Sequence, residues 1–394
     1  MTREAVIVDC ARSAFGKRKG ALAGWHPTDL LALVLRTMVE RNDIDPERID
    51  DVVGGCVTQS GEQGCNVTRN AWVAAGLPWS VPATSVDRQC GSSQQAAHFV
   101  AQGVLAGAYD IGIACGVESM TRAPMSSNAR GGTGPFSREF LAHTNNTLGI
   151  QFWVAQVLAD KWGITREEMD EYSLQSHRRA AANTDNGFFA GEIVPVPVVD
   201  PETGERTGEV LDTDEGIRRD ASLEKMAERP PAWISEEQPA PDITAANASQ
   251  MTDGASAMII ASADFAEQHG LPVRARFRHF AVAADDPVIV LSAPVPVTYK
   301  LMKRSGLSVD DFDAVECNEA FAAIALMWQK EFGYPMDRFN PRGGAIALGH
   351  PLGASGVALM TRLLRHLEQT GGRYGFQTMC EGGGQANATV IERV

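Results

Sequence analysis

A layered α/β fold in two halves, interrupted by an inserted loop-rich domain, is predicted by three features of this 394-residue chain. Short β-rich apolar runs alternate with helical patterns from the N-terminus. That rhythm breaks between about Ser119 and Asn247, and a second strand–helix series then runs to the end.

The first series consists of a strand at Ala5–Val8, a helix through Leu30–Val39, and strands at Val52–Val57 and Thr84–Asp87. After Asp87 comes Arg88-Gln89-Cys90-Gly91-Ser92-Ser93. Ala96, Ala97, Val100, Val104 and Leu105 follow at helical spacing, closed by Gly107 before the strand Ile111–Cys115. Cys90 thus falls where a strand turns into a helix. The middle segment holds Gly131-Gly132-Thr133-Gly134-Pro135, one amphipathic helix from Arg166 to Ala182 and the loop-like Pro201-Glu202-Thr203-Gly204, which mark an insertion. Strands resume at Ala257–Ala261 and Val273–Val282. They lead into Phe312–Val315, a helix Ala320–Trp328, a helix Gly356–Leu367 and a strand Phe376–Cys380. The expected division is 1–118 plus 248–271, an insert 119–247, and 272–394.

Composition limits the function classes. The chain is 44% apolar and 21% charged, with 35 Lys and Arg against 49 Asp and Glu, a net charge of −14. That balance argues against general binding to nucleic acid or to an anionic membrane. Seven scattered cysteines suit reduced thiols in a cytosol better than a disulfide framework. Ala5-Val6-Ile7-Val8 is only a strand long and is followed by Asp9, so it does not read as a signal peptide. No apolar run approaches the roughly 18 to 20 residues of a spanning helix, and Ile391-Glu392-Arg393-Val394 is not a Ser-Lys-Leu address. The expectation is a cytoplasmic enzyme.

Four short motifs carry chemistry. A cysteine at the first turn of a helix meets unpaired N–H groups and the positive end of the dipole, which favour a thiolate; Cys90 is therefore a candidate nucleophile. Gly343 to Gly356 is glycine-rich but lacks the Gly-Lys-Ser/Thr ending of a phosphate loop and the spacing of a dinucleotide fingerprint. Its notable residue is His350, held between Gly349 and Pro351, where an imidazole could assist a cysteine or bind an oxyanion. Cys380-Glu381-Gly382-Gly383-Gly384 ends a strand, and its glycines let backbone N–H groups approach a ligand. Asn318-Glu319-Ala320-Phe321 stands at a strand-to-helix junction, where Asn318 could equally cap the helix.

In order and spacing these four motifs resemble the active-site motifs of the thiolase family, over essentially the whole chain. The resemblance implies a thiolase fold, two similar layered halves (α-β-α-β-α) with an inserted loop domain. It implies Cys90 as the acylated nucleophile, His350 as its activating partner, and Cys380 as the acid/base at the substrate α-carbon. One oxyanion hole would come from His350 and a water held by Asn318, another from the N–H groups of Cys90 and Gly382. Coenzyme A would be a co-substrate, held by the insert through positions similar to Arg218, Lys225 and Ser249. No metal and no permanently bound cofactor is implied, and the assembly would be a homodimer or homotetramer.

Departures from the family pattern bear on specificity. Asn145 to Phe152 replaces the His-Met pair of many short-chain members, Ser93 stands where many have glycine, and Glu381 would raise the Cys380 pKa if it points inward. Cys56-Val57-Thr58-Gln59, Gly61-Glu62-Gln63 and the stretch Asp87 to Gln95 look similar to thiolases of steroid and other bulky acyl-CoA degradation, with Gln63 and Phe152 as candidate linings of a wider acyl pocket. A condensing ketoacyl synthase would pair its cysteine with two histidines or with His and Asn. A cysteine hydrolase would leave Asn318 and the turn after Cys380 without a role.

Overall fold

The computed structural model describes residues 3–394. Among them, strands follow one another across a long sheet path in the order Ala314–Cys317, Tyr374–Glu381, Gln385–Arg393, Ala275–Ala284, Ala5–Ser13, Thr252–Ser262, Ile111–Ser119, Asp51–Gly55 and Ala83–Val86. The halves meet where Val6 pairs with Arg276 and Ile7 with Ala275. Outward from that joint both sides show two antiparallel pairings and then a parallel one. This is the two-half, layered architecture expected from the sequence.

Two helices, Ser92–Leu105 and Leu352–Thr370, fill the space between the halves. Ala97, Val100 and Val104 of the first and Val357, Met360 and Leu364 of the second share one buried cluster with Ile7 and Ile260 from one sheet half and Phe277 and Ile391 from the other. Outside lies the helix Pro27–Arg41, whose Leu30, Leu31, Val34, Leu35 and Met38 form the apolar stripe of an amphipathic helix. The opposite outer layer contains Pro294–Ser305 and Ala322–Phe332, built around Val297, Leu301 and Trp328.

The two central helices can touch because glycine stands at the contact. A Cβ on Gly356 would lie 2.2 Å from the Gln94 backbone nitrogen, and one on Gly353 would lie 2.5 Å from the Val117 carbonyl and 2.6 Å from that of Gly55. Ser93, one of the departures noted above, is fully buried there, and its hydroxyl accepts the Val357 N–H at 3.0 Å. It joins the helix that begins beside Cys90 to the helix that begins beside His350.

The insert is more helical than its texture implied, with helices at Arg138–His143, Gln151–Lys161 and Arg166–Asp185, the last opened by a Thr165/Glu168 capping box. It is stitched to the first half: Ile193–Val194 pairs in parallel with Arg12–Ser13, and fully buried Arg12 donates to Glu192 at 2.7 Å and to Asp214 at 2.6 and 2.9 Å. The first strand also runs past Asp9 to Ser13, because Arg41, Asn42 and Arg274 surround that carboxylate. Further elements were not foreseen, among them the helices Val67–Ala74 and Pro294–Ser305 and the strand Gln385–Arg393.

Candidate active site

The strand Ala83–Val86 delivers the chain to Cys90 through a tight turn in which Gln89 has φ +47°. That turn is held by short-range bonds: Asp87 accepts the Gln89 N–H at 2.7 Å, Ser92 Oγ accepts the Arg88 N–H at 2.9 Å, and the Ser92 hydroxyl donates to the Gln89 carbonyl at 2.6 Å. Gly91 caps the helix Ser92–Leu105, so Cys90 stands just before the helix. It is 7% exposed and packs with Val57, Met120, Leu352, Leu359 and Met379.

Leu352 follows His350 by two residues and Met379 precedes Cys380, so these contacts draw three motifs together. The Gly382 N–H lies near enough to lower the Cys90 pKa, and Cys90 in turn raises that of Cys380. Asn318 reaches His350, its Nδ2 lying 3.3 Å from Nε2. The five residues expected to carry catalysis are therefore gathered at one place. Among the described residues no group of His, Cys, Asp and Glu is arranged to hold a metal ion.

Directional bonds fix the His350 tautomer. The Ser355 hydroxyl donates to the Pro351 carbonyl at 2.8 Å, so toward His350 Nδ1, 2.7 Å away, it is the acceptor. Nδ1 then carries the proton, and Nε2 is left as an acceptor facing the Asn318 amide. Burial lowers the His350 pKa to about 4, so the ring is neutral at pH 7. Asn318 Oδ1 is buried without a protein partner.

The thiolate expected at Cys90 is not what this environment favours. Burial first, and then the nearby Glu381 carboxyl, push its thiol up to about 12, against which the N–H groups of Cys90 and Gly382 act. Cys380 is raised well above the ordinary thiol range, again by burial first and then by Cys90 and Cys317. The helix terminus is a local effect, and dehydration of the sulfur outweighs it. At rest both thiols and the His350 imidazole are neutral.

Two buried carboxylates brace the site, and neither was singled out as bracing from the sequence. Glu118 accepts from Val57 N–H at 2.9 Å, Thr58 N–H at 3.0 Å, Gln63 Nε2 at 2.8 Å and Gly353 N–H at 3.0 Å, tying the loop after Cys56 to the helix after His350. Its signal was an acidic residue at the end of an otherwise apolar strand. Glu319 accepts from Tyr172 at 2.9 Å, Ser176 at 2.8 Å and Ile346 N–H at 3.1 Å, anchoring Asn318 to the insert and to the His350 loop. Gln63 belongs with Glu118: it is 0% exposed, and its amide bonds Thr58, Glu118 and Ser119. It does not line an acyl pocket. Phe152 stacks on Trp233 and meets Phe321 edge-on, packing behind the Asn318 motif.

The three positions expected to meet coenzyme A are not equivalent. Ser249 donates its N–H to the Ala320 carbonyl at 2.9 Å, beside the Asn318 motif. Arg218 accompanies it: its N–H bonds His177, and Gln250 ties nearby Gly216 to Ile346 while accepting the His350 N–H. Lys225 lies on the surface, paired with Asp220 at 2.7 Å.

His98, His177, His350 and His366 are all lowered by burial, to about 3, 4, 4 and 4. Between roughly pH 6.5 and pH 4 the unfolded chain takes up protons on these rings that the folded chain refuses. Stability is therefore expected to fall as pH drops through that window. Urea midpoints at pH 7.5, 6 and 5 check it, and an unchanged midpoint would refute it.

The family model for the thiolase N-terminal domain matches residues 5–264, and that for the thiolase C-terminal domain matches residues 271–393. The chain is 47% identical to a steroid 3-ketoacyl-CoA thiolase of Mycobacterium tuberculosis, over 99% of this chain and 94% of that protein. It is 42% identical to a 3-ketoacyl-CoA thiolase of Aliivibrio fischeri, over 99% of this chain and 100% of the other. The crystal structure of a Bacillus anthracis acetyl-CoA acetyltransferase superposes with a TM-score of 0.89 at 31% identity, covering 100% of this chain and 99% of that one.

Proposed function

The chain belongs to the thiolase family, and from that premise we propose that it cleaves 3-ketoacyl-CoA to acetyl-CoA and a shortened acyl-CoA, as an acyltransferase working through Cys90. The observation that carries this reading is the proximity of two thiols, Cys90 and Cys380, with Leu352 of the His350 loop packed against the first. A condensing synthase or a hydrolase has no use for the second thiol.

In this reading Cys90 Sγ attacks the 3-keto carbon as its proton passes to His350 Nε2, the unprotonated nitrogen of the ring. The C2–C3 bond breaks, and Cys380 gives its proton to C2, releasing acetyl-CoA. The Cys380 thiolate then takes the proton of incoming coenzyme A, whose sulfur attacks the acyl-Cys90 thioester. Cys90 leaves and recovers its proton from His350. Charge on the carbonyl oxygen is met by the Cys90 and Gly382 N–H groups in the acyl-enzyme half, and by His350 with a water on Asn318 in the other. The unpartnered Asn318 Oδ1 supports the water.

Residues 119–247 are the proposed coenzyme A-binding part, with Arg218 and Ser249 as better-placed contacts than Lys225. Assembly as a homodimer or homotetramer and a place in the cytoplasm belong to the same reading; among the described residues no helix is long and apolar enough to cross a membrane. Similarity to the mycobacterial steroid thiolase supports a bulky acyl chain in fatty-acid or steroid degradation.

The deciding experiment is thiolysis with free coenzyme A of acetoacetyl-CoA, a medium-chain and a bulky cyclic 3-ketoacyl-CoA. Turnover with the bulky substrate fastest is expected, and no turnover of any, by protein whose Cys90 alkylates, would overturn the reading. Cys380→Ala is expected to acylate from an acyl-CoA yet lose carbon–carbon cleavage by about a thousandfold or more. Retained cleavage would remove Cys380 from its role.

A further inference from the structure

Glu381 is fully buried, and the chemistry above gives it no task. Strand alternation turns it, with Gln377 and Met379, toward the central helices. Its side chain lies beneath the turn that carries the nucleophile, since a Cβ on Gly91 would stand 1.8 Å from Oε1. On the next strand Asn387, with its amide oriented to satisfy both ends, donates to Glu381 Oε1 at 3.2 Å and accepts the Gln95 N–H of the nucleophile's helix at 3.3 Å. Gln95 N–H is also bonded to the Gly91 carbonyl, so strand, carboxyl and helix end form one small frame. Glu381 Oε2 has no partner among the described residues.

We propose that Glu381 is a positioning residue for Cys90: as the neutral acid it fills and fixes the space under the Gly91 turn without placing a charge beside either thiol.

The groups that face it are Asp87 and Arg88 before the turn, Cys90 on it, and Cys380 on its own strand. Gln95, Asn387 and Gln385 are neutral, and Arg88 donates to Gln385 at 2.8 Å. Burial raises the Glu381 carboxyl well above the usual range, opposed by Arg88. The neutral form follows from that balance. Ionisation would set a negative charge against the sulfur that must itself become negative in the reaction.

This inference rests on Cys90 being the nucleophile, so it is tested on Cys90 by alkylation as well as by turnover. Rates of Cys90 modification by iodoacetamide, read by mass spectrometry from pH 6 to 10, are compared among wild type, Glu381→Gln and Glu381→Ala. Glu381→Gln is expected to track wild type within about threefold at pH 7 and to exceed it in the alkaline range, by about tenfold for each pKa unit that the charge adds to the thiol. Glu381→Ala, which empties the space, is expected to lose about a hundredfold in kcat with KM little changed, as for a misplaced reacting group. A Glu381→Gln curve already tenfold above wild type at pH 7 would show an ionised carboxylate and overturn the proposal. So would a Glu381→Ala enzyme equal to wild type in both assays. Failure of wild type to turn over, with the alkylation pattern intact, would count against the thiolysis reading instead.

Discussion

Cys90→Ala is expected to abolish acyl-enzyme formation and to lower thiolysis by about ten-thousandfold or more, because the covalent route loses its nucleophile and the neighbouring Cys380 thiol is raised well above the ordinary range. The other cysteines explain the size of the effect. Cys56, Cys115 and Cys317 are buried with thiols pushed far above the ordinary range. Cys65 is the exposed one, just after the turn Gly61–Gln63. The fold should be preserved, since alanine is smaller than cysteine and the turn is held by Asp87 and Ser92 rather than by the thiol. Intact-protein mass spectrometry after mixing with an acyl-CoA provides the check. An acyl adduct on the variant, or thiolysis within tenfold of wild type, would refute the assignment.

Gly356→Val should be the most damaging substitution away from the chemistry. Its Cβ would meet the Gln94 backbone nitrogen at 2.2 Å, and backbone inside a helix cannot swing aside as a side-chain end can. The Leu352–Thr370 and Ser92–Leu105 helices must separate, breaking the Ser93–Val357 bond and the packing of Val357 and Met360. A loss of about 3 kcal/mol, at the upper end for overpacking, is the expected result, together with a large drop in kcat as Cys90 and His350 move apart. Denaturant unfolding and steady-state kinetics measure the two effects. Full stability in the variant would mean that the helices are not in the contact described.

The parts of this architecture that could be read from the chain were those with local signatures. Leu30 to Met38 announces an amphipathic helix, and the run into Cys90 announces a strand turning into one. The strand Gln385–Arg393 had no such signature: with residues 386–392 all buried, it lacks the alternation of a half-exposed strand, and its Ala, Asn and Thr residues read as loop. Asp9 looked like the end of a strand because the arginines that neutralise it come from residues 41 and 274. Which residues gather at the site was legible from four motifs, but their ionisation was not. A helix terminus lies in the neighbouring sequence, whereas the dehydration of Cys90 is produced by Met120, Leu352 and Met379 from elsewhere. The His350 tautomer likewise depends on a serine whose position in the Gly353–Gly356 run gave no hint of that role.

The near-repetition of strand pairings on either side of the joint makes the two central helices counterparts, one beginning after Cys90 and the other after His350. Equivalent corners of a duplicated frame thus hold unlike groups, a thiol in one copy and an imidazole in the other, with Asn318 and Cys380 also in the second. The catalytic unit is accordingly indivisible along the line where the architecture divides most cleanly. A polypeptide ending near residue 271 would have Cys90 without His350, and its complement His350 without Cys90. Activity from two such fragments would require them first to rebuild the shared helix layer.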